Sequence, residues 1–599
     1  MRVLRTVLVA PSRYLDGSVA VFRLGISANG ALTALAGLAE DYNRRHAGSE
    51  RIDYEFFDEH VREAITPALL RRWRDAANAA GQRFVLMICG VQTVTYPRAR
   101  DIALMARREQ IDVLAGGVHL SAHGPSVDFL VSCGVHVAIG EVEPIWDEIV
   151  DDARCGRLQP IYRITAAQGI RVKAATSDIV APDITDVPFP HIPRQHRRRY
   201  INPSRLFIDA SRGCPFLCTF CVIKNIFGRT VRSRDPERLA AWMTDRVRND
   251  GIRAFGFTDD NFARNPRHIE LLERLAAARR QGLKFSLWLI LDVESTCYAG
   301  EESPRGERTR EFLRLCQAAG VAHVYIGLES TNDAVLQEMR KGVNRDREQI
   351  HDAVDAFDPA VARRRLIERY GAAVQAWHGI GASVECGYIV GFHADGPNVG
   401  SDAARDLVEI GVDVATFFLL APLPGSEDYA RAMRDDTLVE HDFNEYFHRP
   451  MLAHPTMSGA ELQGELEKAI GLMWTWPNLL RRLAGALLGV GRRRTLTPWI
   501  YFKRQVSHKI MISTGLRTYG EGGLFRRRVP AEARRLAVHD EEARRIYLGN
   551  GSSQAFPTLR DDSTMESLPV LSRNLLVGPN GAENVVEVSA GKIVATLGA

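Results

Sequence analysis

The sequence lacks any long hydrophobic run and any strong excess of one charge. No segment approaches the roughly 18 uninterrupted apolar residues that a membrane-spanning helix requires, and the apolar run near the start, MRVLRTVLVAPS, is too short for a signal peptide. Lysine plus arginine (77) nearly balance aspartate plus glutamate (73), so the charge gives no indication of a nucleic-acid partner. No P-loop and no internal repeat occurs. These absences predict a cytoplasmic protein without a nucleic-acid partner.

Cysteine is also scarce, with 9 in 599 residues, and most cysteines stand alone, which is typical of a reducing compartment. Three do not stand alone: Cys214, Cys218 and Cys221 follow the apolar run 206–210, which is predicted to be a buried strand. Thiolates with the spacing C-x3-C-x2-C on one loop can bind three corners of a [4Fe–4S] cluster. Such clusters usually take four cysteines, and no fourth cysteine lies nearby. One iron is then open to an outside ligand, which indicates a catalytic loop.

A zinc site is the alternative interpretation of these cysteines. His191 and His196 lie just upstream and could complete a Cys3His set. Zinc sites normally supply a second pair of ligands at a matching spacing, and the sequence has none. The spacing favours the iron–sulfur cluster, with a zinc- or cluster-containing binding protein without catalysis as the weaker hypothesis.

The cysteine loop resembles the signature of the radical S-adenosylmethionine (SAM) superfamily. The motif directly follows a strand, Phe220 precedes the last cysteine, and the wording SRGCP (211–215) is most similar to the cobalamin-dependent branch of that superfamily. The resemblance implies that the open iron binds the amino and carboxylate groups of SAM. It also implies that the reduced cluster cleaves SAM to a 5′-deoxyadenosyl radical, and that an external flavodoxin- or ferredoxin-like protein donates the electron.

Residues 1–155 alternate apolar strands with amphipathic helices. This alternation predicts an α/β fold, a doubly wound parallel sheet of Rossmann-like type, which binds its ligand at the carboxyl ends of the strands. Small or polar residues follow several of these ends, and glycines there let a large flat ligand approach the backbone. The predicted strands are 6–10, 52–57, 84–88, 113–115 and 135–139, and the predicted helices include 31–45, 64–80 and 99–109.

This arrangement resembles the cobalamin-binding domain that precedes the radical SAM domain in the cobalamin-dependent branch, and GGVH (116–119) and GEVEPIWDEI (140–149) are similar to its pattern. The cobalt-ligating motif D-x-H-x-x-G is absent, because the nearest string, DEHVRE (58–63), lacks the glycine. The resemblance therefore implies cobalamin bound without a histidine on cobalt; an inert domain, or one for another nucleotide, is the alternative. The expected cobalamin contacts are Ser12, Gly90, Gln92, Thr93, Gly116, Gly117, His119, Gly140 and Glu141.

Residues 156–203 are rich in proline, which excludes helix and predicts an extended linker. Residues 204–430 then repeat strand and helix six times. Six such units predict a partial (β/α)6 TIM-like barrel with its active site at the carboxyl ends of the strands. The polar run 297–310 is expected to be a loop insertion. The predicted strands are 206–210, 255–258, 285–291, 324–328, 383–390 and 416–420.

The resemblance also implies contacts to SAM, position by position. Asp259 or Asp260, at the second strand end, stands where the family contacts the SAM amino group, although the family's wording there is glycine-rich with a glutamate. Glu329 at the fourth strand end is expected at the ribose. Phe220 and Gly391, the last residue of GYIVG (387–391), are expected at the adenine. The alternative for any one carboxylate is a solvated loop residue or a helix cap. No residue is predicted to be a general acid or base, because the cofactors carry the chemistry.

Residues 431–549 predict a mostly helical C-terminal domain, and residues 550–599 predict a tail, much of it disordered. The segment 478–505 mixes apolar, aromatic and basic residues. Packing of this segment against the barrel is the favoured interpretation, ahead of a lid over the substrate or a face that contacts anionic lipid at the membrane periphery.

The sequence as a whole predicts a cobalamin-dependent radical SAM enzyme, most simply a methyltransferase. The methyl group would pass from SAM through methylcobalamin to an unactivated carbon of a small molecule, natural product or lipid. The alternative keeps the fold but changes the outcome to cyclisation or rearrangement without methyl transfer, as in tetrapyrrole ring closure. Nothing in the residues separates the two.

Overall fold

The computed structural model describes residues 3–175, 177–345, 358–487, 505–506, 509, 523–549, 588–589 and 592–593. Most of the segment 478–505 and most of the tail 550–599 therefore lie outside the described residues. Two six-stranded parallel sheets dominate the described part, and each sheet is covered by helices. This confirms the predicted α/β class. None of the described helices combines the length and the hydropathy that crossing a membrane requires.

The first sheet is doubly wound, as the alternation of strands and helices predicts. The first strands of the chain are β1 Leu4–Ala10, β2 Phe22–Gly25 (outside this sheet), β3 Ile52–Asp58, β4 Arg83–Ile88, β5 Asp112–Gly116, β6 His136–Ala138 and β7 Ile161–Tyr162. The order in the sheet is β3-β1-β4-β5-β6-β7, and all neighbours are parallel, so the order reverses between β1 and β4. A ligand site is expected beside such a reversal, at the carboxyl ends of the strands.

Helices cover both faces of this sheet. Along β1, Val7 and Val9 pack on one face while Leu8 and Ala10 pack on the other, the period of two that a strand buried on both faces requires. The first face is covered by α2, α3 and α5, and the second by α1 and α6. The helices are α1 Gly30–Arg45, α2 Pro67–Ala79, α3 Tyr96–Arg108, α4 Val118–Ala122, α5 Gly124–Ser132 and α6 Trp146–Cys155.

The predicted linker is more structured than its prolines indicate. Its first part supplies β7, so the first sheet extends past the predicted boundary at residue 155. Ile170–Val172 and Ile179–Ala181 form an antiparallel pair. A one-turn helix, α7 Arg194–Arg197, follows directly after Pro193. The expectation that the prolines exclude helix is wrong there, because proline is compatible with the start of a helix.

The second sheet contains six parallel strands in chain order, β8-β9-β10-β11-β12-β13. The end strands β8 and β13 are not paired with each other, the order expected of a partial barrel. Its strands are β8 Arg205–Ile208, β9 Ala254–Phe257, β10 Ser286–Leu291, β11 Val321–Glu329, β12 Ser383–Val390 and β13 Val414–Leu419. Its helices are α8 Ile223–Ile226, α9 Pro236–Asn249, α10 His268–Arg280, α11 Pro304–Ala319, α12 Asp333–Glu338, α13 Pro359–Gly379, α14 Val399–Ile410 and α15 Glu427–Arg434.

The polar run 297–310 is not a loop throughout, which corrects the expectation of a loop insertion. Ser303 caps α11 by accepting a hydrogen bond from the backbone N–H of Gly306, and Pro304 occupies the first helical position. The second half of the run is therefore the first turns of a helix, whose buried side includes Thr309 and Phe312.

The C-terminal region divides between the two sheets. The helix α16 Gly459–Met473 packs against α14 and β13 of the second sheet. The helix α17 Trp476–Leu487 follows, with Trp476 63% and Leu480 59% exposed. The strand β14 Gly523–Arg526 instead pairs antiparallel with β2, and the helix α18 Asp540–Leu548 packs against α3 of the first sheet. In the tail, Val588–Ser589 pairs with Lys592–Ile593.

Candidate functional site

The three cysteines lie on one loop whose ends are joined. Ser211–Arg212 and Arg232–Ser233 form a two-residue antiparallel ladder that closes residues 213–231 into the cluster loop. The N–H of Cys214 donates to Gly228 O at 3.1 Å. Gly213 has a φ of +98°, and an added Cβ would lie 2.7 Å from Thr230 O, so this turn requires glycine. The loop therefore presents its thiols from a closed frame.

The three thiols are difficult to ionise here, because their thiolates would repel one another unless a cation binds between them. Burial raises the pKa of Cys214 to about 11 and that of Cys221 to about 12, and the neighbouring thiols add to both shifts. Burial also raises the pKa of Cys218. None of the three forms a disulfide. Three soft ligands of this kind fit an iron–sulfur cluster, whose iron ions supply the missing positive charge.

The histidines of the zinc alternative lie against the first sheet. The ring of His196 packs on Phe56 with the ring centroids 5.2 Å apart, and the backbone N–H of His191 donates to Thr33 O at 2.9 Å. Within the described ranges, no three His, Cys, Asp or Glu side chains form a group that could hold a single metal ion.

The two aspartates after β9 hold the base of the cluster loop. Asp259 is fully buried and accepts hydrogen bonds from the Ala210 N–H at 2.7 Å and from the Ser211 hydroxyl. Asp260 accepts from the Gly213 N–H at 2.8 Å and lines the cavity described below. The SAM contact predicted for one of them stays a prediction, and the structure gives both a positioning role that sequence reasoning missed.

Ionisation of Asp259 should make stability depend on pH. Burial is the main cause that raises its pKa to about 7, with the charge of Asp209 adding to the shift. Because this pKa lies above that of an unfolded aspartate, near 4, the stability of the folded protein should fall as pH rises from about 4 to about 7. The Asp259→Asn variant should lack this loss and gain up to about 4 kcal/mol over the unaltered protein above pH 7 or so.

Unfolding midpoints of both proteins at about pH 5 and about pH 8 test this expectation. Asp75→Asn is the control, because Asp75 has a side chain that is 64% exposed and its charge should matter little. Parallel pH curves for the unaltered protein and Asp259→Asn would contradict the buried, shifted carboxyl.

A partly buried ion pair lies beside the cysteines. Glu329 ends β11 with a φ of +63°, a strained conformation that is common at functional sites. Its Oε1 accepts from Lys341 Nζ at 3.0 Å, and that ammonium lies 5.9 Å from the centroid of the Phe220 ring. Burial lowers the pKa of Lys341, but the Glu329 carboxylate and the charge of Cys218 raise it overall. The structure thus brings Glu329, Phe220 and the thiols together, and adds Lys341, which sequence reasoning missed.

Gly391 lies at the end of β12, at the same carboxyl edge of the second sheet. It has a φ of +111°, and its N–H donates to Asp395 Oδ2 at 2.8 Å. An added Cβ would only touch Leu420 at 3.7 Å, so the conformation rather than the space requires glycine. Its predicted contact with adenine stays a prediction.

A cavity of about 420 Å³ lies between the carboxyl ends of the two sheets. Its walls come from the first residues of α1, from β8, from Arg212 at the base of the cluster loop and from Asp260 after β9. No histidine belongs to the lining among the described residues. Six of the nine residues predicted to contact cobalamin line this cavity: Gly90, Gln92, Gly116, Gly117, Gly140 and Glu141.

The other three predicted contacts are engaged elsewhere. Ser12 Oγ donates to Ala20 O at 2.5 Å, and its N–H donates to Glu59. Thr93 Oγ1 lies 3.4 Å from Nδ1 of His119, whose Nε2 is 3.1 Å from Ser126 Oγ. The cavity lies over the face of the sheet that α1 and α6 cover, whereas Thr93 and His119 pack toward the α3 and α5 face. The strand ends indicate the edge of the sheet at which a residue lies, and tertiary packing decides the face.

Glycines make the backbone itself a wall of the cavity. Gly117 has a φ of +149°, and an added Cβ would lie 2.2 Å from Val91 N. At Gly140, with a φ of +77°, an added Cβ would meet no atom within 4 Å and would project into open space. A flat ligand can therefore approach the main chain here, so the residues present fit a corrin ring.

Comparison with known proteins agrees with this geometry. The family model of the radical SAM superfamily matches residues 208–362. The chain is 24% identical to the bacteriochlorophyllide d C-12(1)-methyltransferase of Chlorobaculum tepidum over 408 residues, which cover 64% of this chain and 77% of that protein. It is 25% identical to the hopanoid C-2 methylase of Rhodopseudomonas palustris over 396 residues, 65% of this chain and 63% of that protein.

A solved structure shares the fold. The radical SAM methyltransferase TsrM from Kitasatospora setae, determined with cobalamin and a [4Fe–4S] cluster bound, superposes with a TM-score of 0.53 at 15% identity. The match covers 86% of this chain and 100% of that chain. Residues 208–362, which contain the cysteine loop, therefore match the radical SAM superfamily. The fold of the chain is similar to that of this cobalamin- and cluster-containing structure.

Proposed function

We propose that the protein is a cobalamin-dependent radical SAM methyltransferase that acts on a carbon atom of a small-molecule substrate. One observation carries the proposal: Gly140 of the first sheet and Asp260 of the second line the same cavity, next to the cysteine loop. Both relatives described above are named as methylating enzymes, which supports methyl transfer as the outcome. The bound cofactors would supply the chemistry, the cluster by reductive cleavage of SAM and cobalamin by carrying the methyl group.

The chain's own residues bind and orient these groups. Cys214, Cys218 and Cys221 would hold the cluster, and Asp260 keeps the loop in place through Gly213. Lys341 is a cation beside the thiols that we propose binds the carboxylate of SAM, and we propose that Glu329 accepts from ribose hydroxyls. Burial of the ion pair lowers the local dielectric constant and strengthens these contacts.

The cavity wall gives the first sheet its role. The glycines admit a flat ring against the backbone, and no histidine of the described lining is available to ligate a metal at its centre. We therefore propose that cobalamin binds without a histidine ligand, with Gly90, Gln92, Gly116, Gly117, Gly140 and Glu141 at its edge.

The proposal extends to the electron donor and the compartment. The cysteines outside the cluster loop are free thiols, as expected in a reducing cytoplasm, and none is grouped as the ligands of a second cluster would be. We propose that a flavodoxin- or ferredoxin-like protein reduces the cluster. Because the side chains of Trp476 and Leu480 are exposed, we also propose that α17 contacts a lipid surface.

Methyl-labelled SAM tests the methyl transfer. The anaerobically reconstituted protein, reduced in the presence of hydroxocobalamin, should transfer label to the protein-bound corrinoid even without substrate. The cyclase alternative expects release of 5′-deoxyadenosine with no label on the corrinoid or on any product. That second pattern would contradict the methyltransferase proposal and support the cyclase alternative. A preparation that binds neither iron nor cobalamin would contradict both.

A further inference from the structure

Two arginines at the base of the cluster loop share one carboxylate from the other sheet. Arg212 and Arg232 are register partners in the ladder that closes the loop. Arg212 Nη1 lies 2.5 Å from Oε1 of Glu141, and Arg232 Nη2 lies 2.7 Å from its Oε2. Glu141 itself follows β6 of the first sheet. These three side chains are called the Glu141 clamp below.

The clamp is largely buried, so its charges depend on one another. The side chain of Glu141 is 6% exposed, that of Arg232 is 3% exposed and that of Arg212 is 15% exposed. Arg212 also donates to Glu143 Oε1 at 2.7 Å and, through Nε, to Asp209 Oδ2 at 2.7 Å. Removal of one partner from such a network leaves a buried charge without compensation. Glu141 and Glu143 of the first sheet pair with arginines of the second, so these ion pairs hold the two sheets together at this point.

The clamp lies between the two cofactor sites. Glu141 and Arg212 both line the cavity, and Arg212 is two residues before Cys214. Arg232 also donates to the carbonyl oxygens of Pro182 at 2.8 Å and Phe227 at 3.2 Å, which fixes the second strand of the ladder. A ligand that contacts the Glu141 wall of the cavity thus contacts the frame of the cysteine loop.

We propose that the Glu141 clamp couples the two cofactor sites. A corrin in the cavity would restrain Glu141, and through Arg212 and Arg232 it would hold the loop in the geometry that binds SAM. Glu141 is then a positioning residue, because it acts through the loop and not on the reacting atoms. This inference rests on the proposed function. Coupling of this kind is reciprocal, so SAM must raise cobalamin affinity by the factor by which cobalamin raises SAM affinity.

The test measures binding of hydroxocobalamin and of SAM to the full-length protein with its cluster reconstituted. In the unaltered protein, saturating hydroxocobalamin should raise the affinity for SAM about fivefold or more. In Glu141→Gln, which keeps the size but removes the charge, hydroxocobalamin should bind more weakly because Glu141 lies at the proposed corrin edge, SAM should still bind, and the rise in SAM affinity at saturating hydroxocobalamin should shrink to less than about twofold. With excess reductant present, and after subtraction of the cob(II)alamin signal, the electron paramagnetic resonance signal of the reduced cluster with SAM should change on addition of the corrinoid in the unaltered protein and stay constant in the variant.

Two further variants make the result decisive. The double variant Glu141→Gln with Arg212→Gln removes one charge of each sign, so it leaves the net charge of the clamp unchanged. We expect it to fold and to lack coupling, which keeps the test valid if Glu141→Gln alone is unstable. Glu109→Gln is the matched control, because Glu109 also pairs with two arginines, Arg71 and Arg74, but lies outside the cavity lining. It should keep full coupling.

Unchanged coupling in both clamp variants, or no coupling in the unaltered protein that binds both ligands, would overturn the inference and leave the proposed function standing. An unaltered protein with a full cluster that binds no hydroxocobalamin would overturn the proposed function itself.

Discussion

Replacement of Cys218 by serine should abolish iron binding and the cleavage of SAM. The cluster depends on three thiolates from a single loop, so the loss of one leaves too few soft ligands to hold it. Iron content, visible absorption and release of 5′-deoxyadenosine should all fall to the limit of detection in protein prepared without air. The same result is expected for Cys214→Ser and Cys221→Ser.

Cys155→Ser provides the comparison for these variants. Cys155 is an exposed free thiol at the end of α6, remote in sequence from the loop. Its replacement should leave iron content and SAM cleavage unchanged. Full activity in a protein in which all three loop cysteines are replaced by serine, or an equal loss of iron in Cys155→Ser, would contradict the assignment of the cluster to the loop.

Substitution of Gly140 by leucine should weaken cobalamin binding while the cluster remains. An added Cβ at Gly140 meets no protein atom within 4 Å, so leucine there would occupy space proposed for the corrin, and overpacking against the bound ring costs about 1–3 kcal/mol. That cost corresponds to a loss of about 5- to 150-fold in the affinity for hydroxocobalamin. Titration of the protein with hydroxocobalamin, followed by its absorption, measures the affinity, and the iron content should match that of the unaltered protein.

Gly282→Leu separates the effect on the cavity from strain in the backbone. Gly282 has a φ of +93° with no atom within 4 Å of an added Cβ, as at Gly140, but it lies on the surface after α10. Leucine at either position adopts an unfavourable φ, which costs about 1–2 kcal/mol. Only Gly140→Leu should bind cobalamin more weakly. Equal loss in both variants would assign the effect to stability, and normal binding by Gly140→Leu would place cobalamin elsewhere.

Local patterns predicted the two sheets well, because each strand is a short apolar run next to an amphipathic helix. The run 383–390 is observed as β12 with the same bounds, and helix α9 begins at Pro236 as expected. The polar composition of the run 297–310 predicts a loop, but Ser303 and Pro304 are a helix cap and a first-turn proline, and these local signals indicate the start of α11.

The candidate site was predictable where its residues are neighbours in sequence and less so where they meet only in space. The cysteine spacing is local, and so are the glycines that end the strands. Lys341 reaches Glu329 from 12 residues away and the clamp joins Glu141 to Arg232 across 91, so no periodicity links them. The choice between the two faces of the first sheet, which places His119 away from the cavity, is likewise a matter of tertiary packing.

The return of the C-terminal segment to the first sheet has a consequence for synthesis of the chain on the ribosome. Arg100, 1% exposed, pairs with Asp540 at 3.0 Å and donates to the carbonyl of Ala537 at 3.1 Å. At about 5–20 residues per second, roughly 20–80 s separate emergence of β7 from emergence of α18. During that interval Arg100 keeps its ion pair with Asp101 at 2.8 Å but lacks Asp540 and the Ala537 carbonyl, so the packing of the first-made sheet is completed only at the end of synthesis.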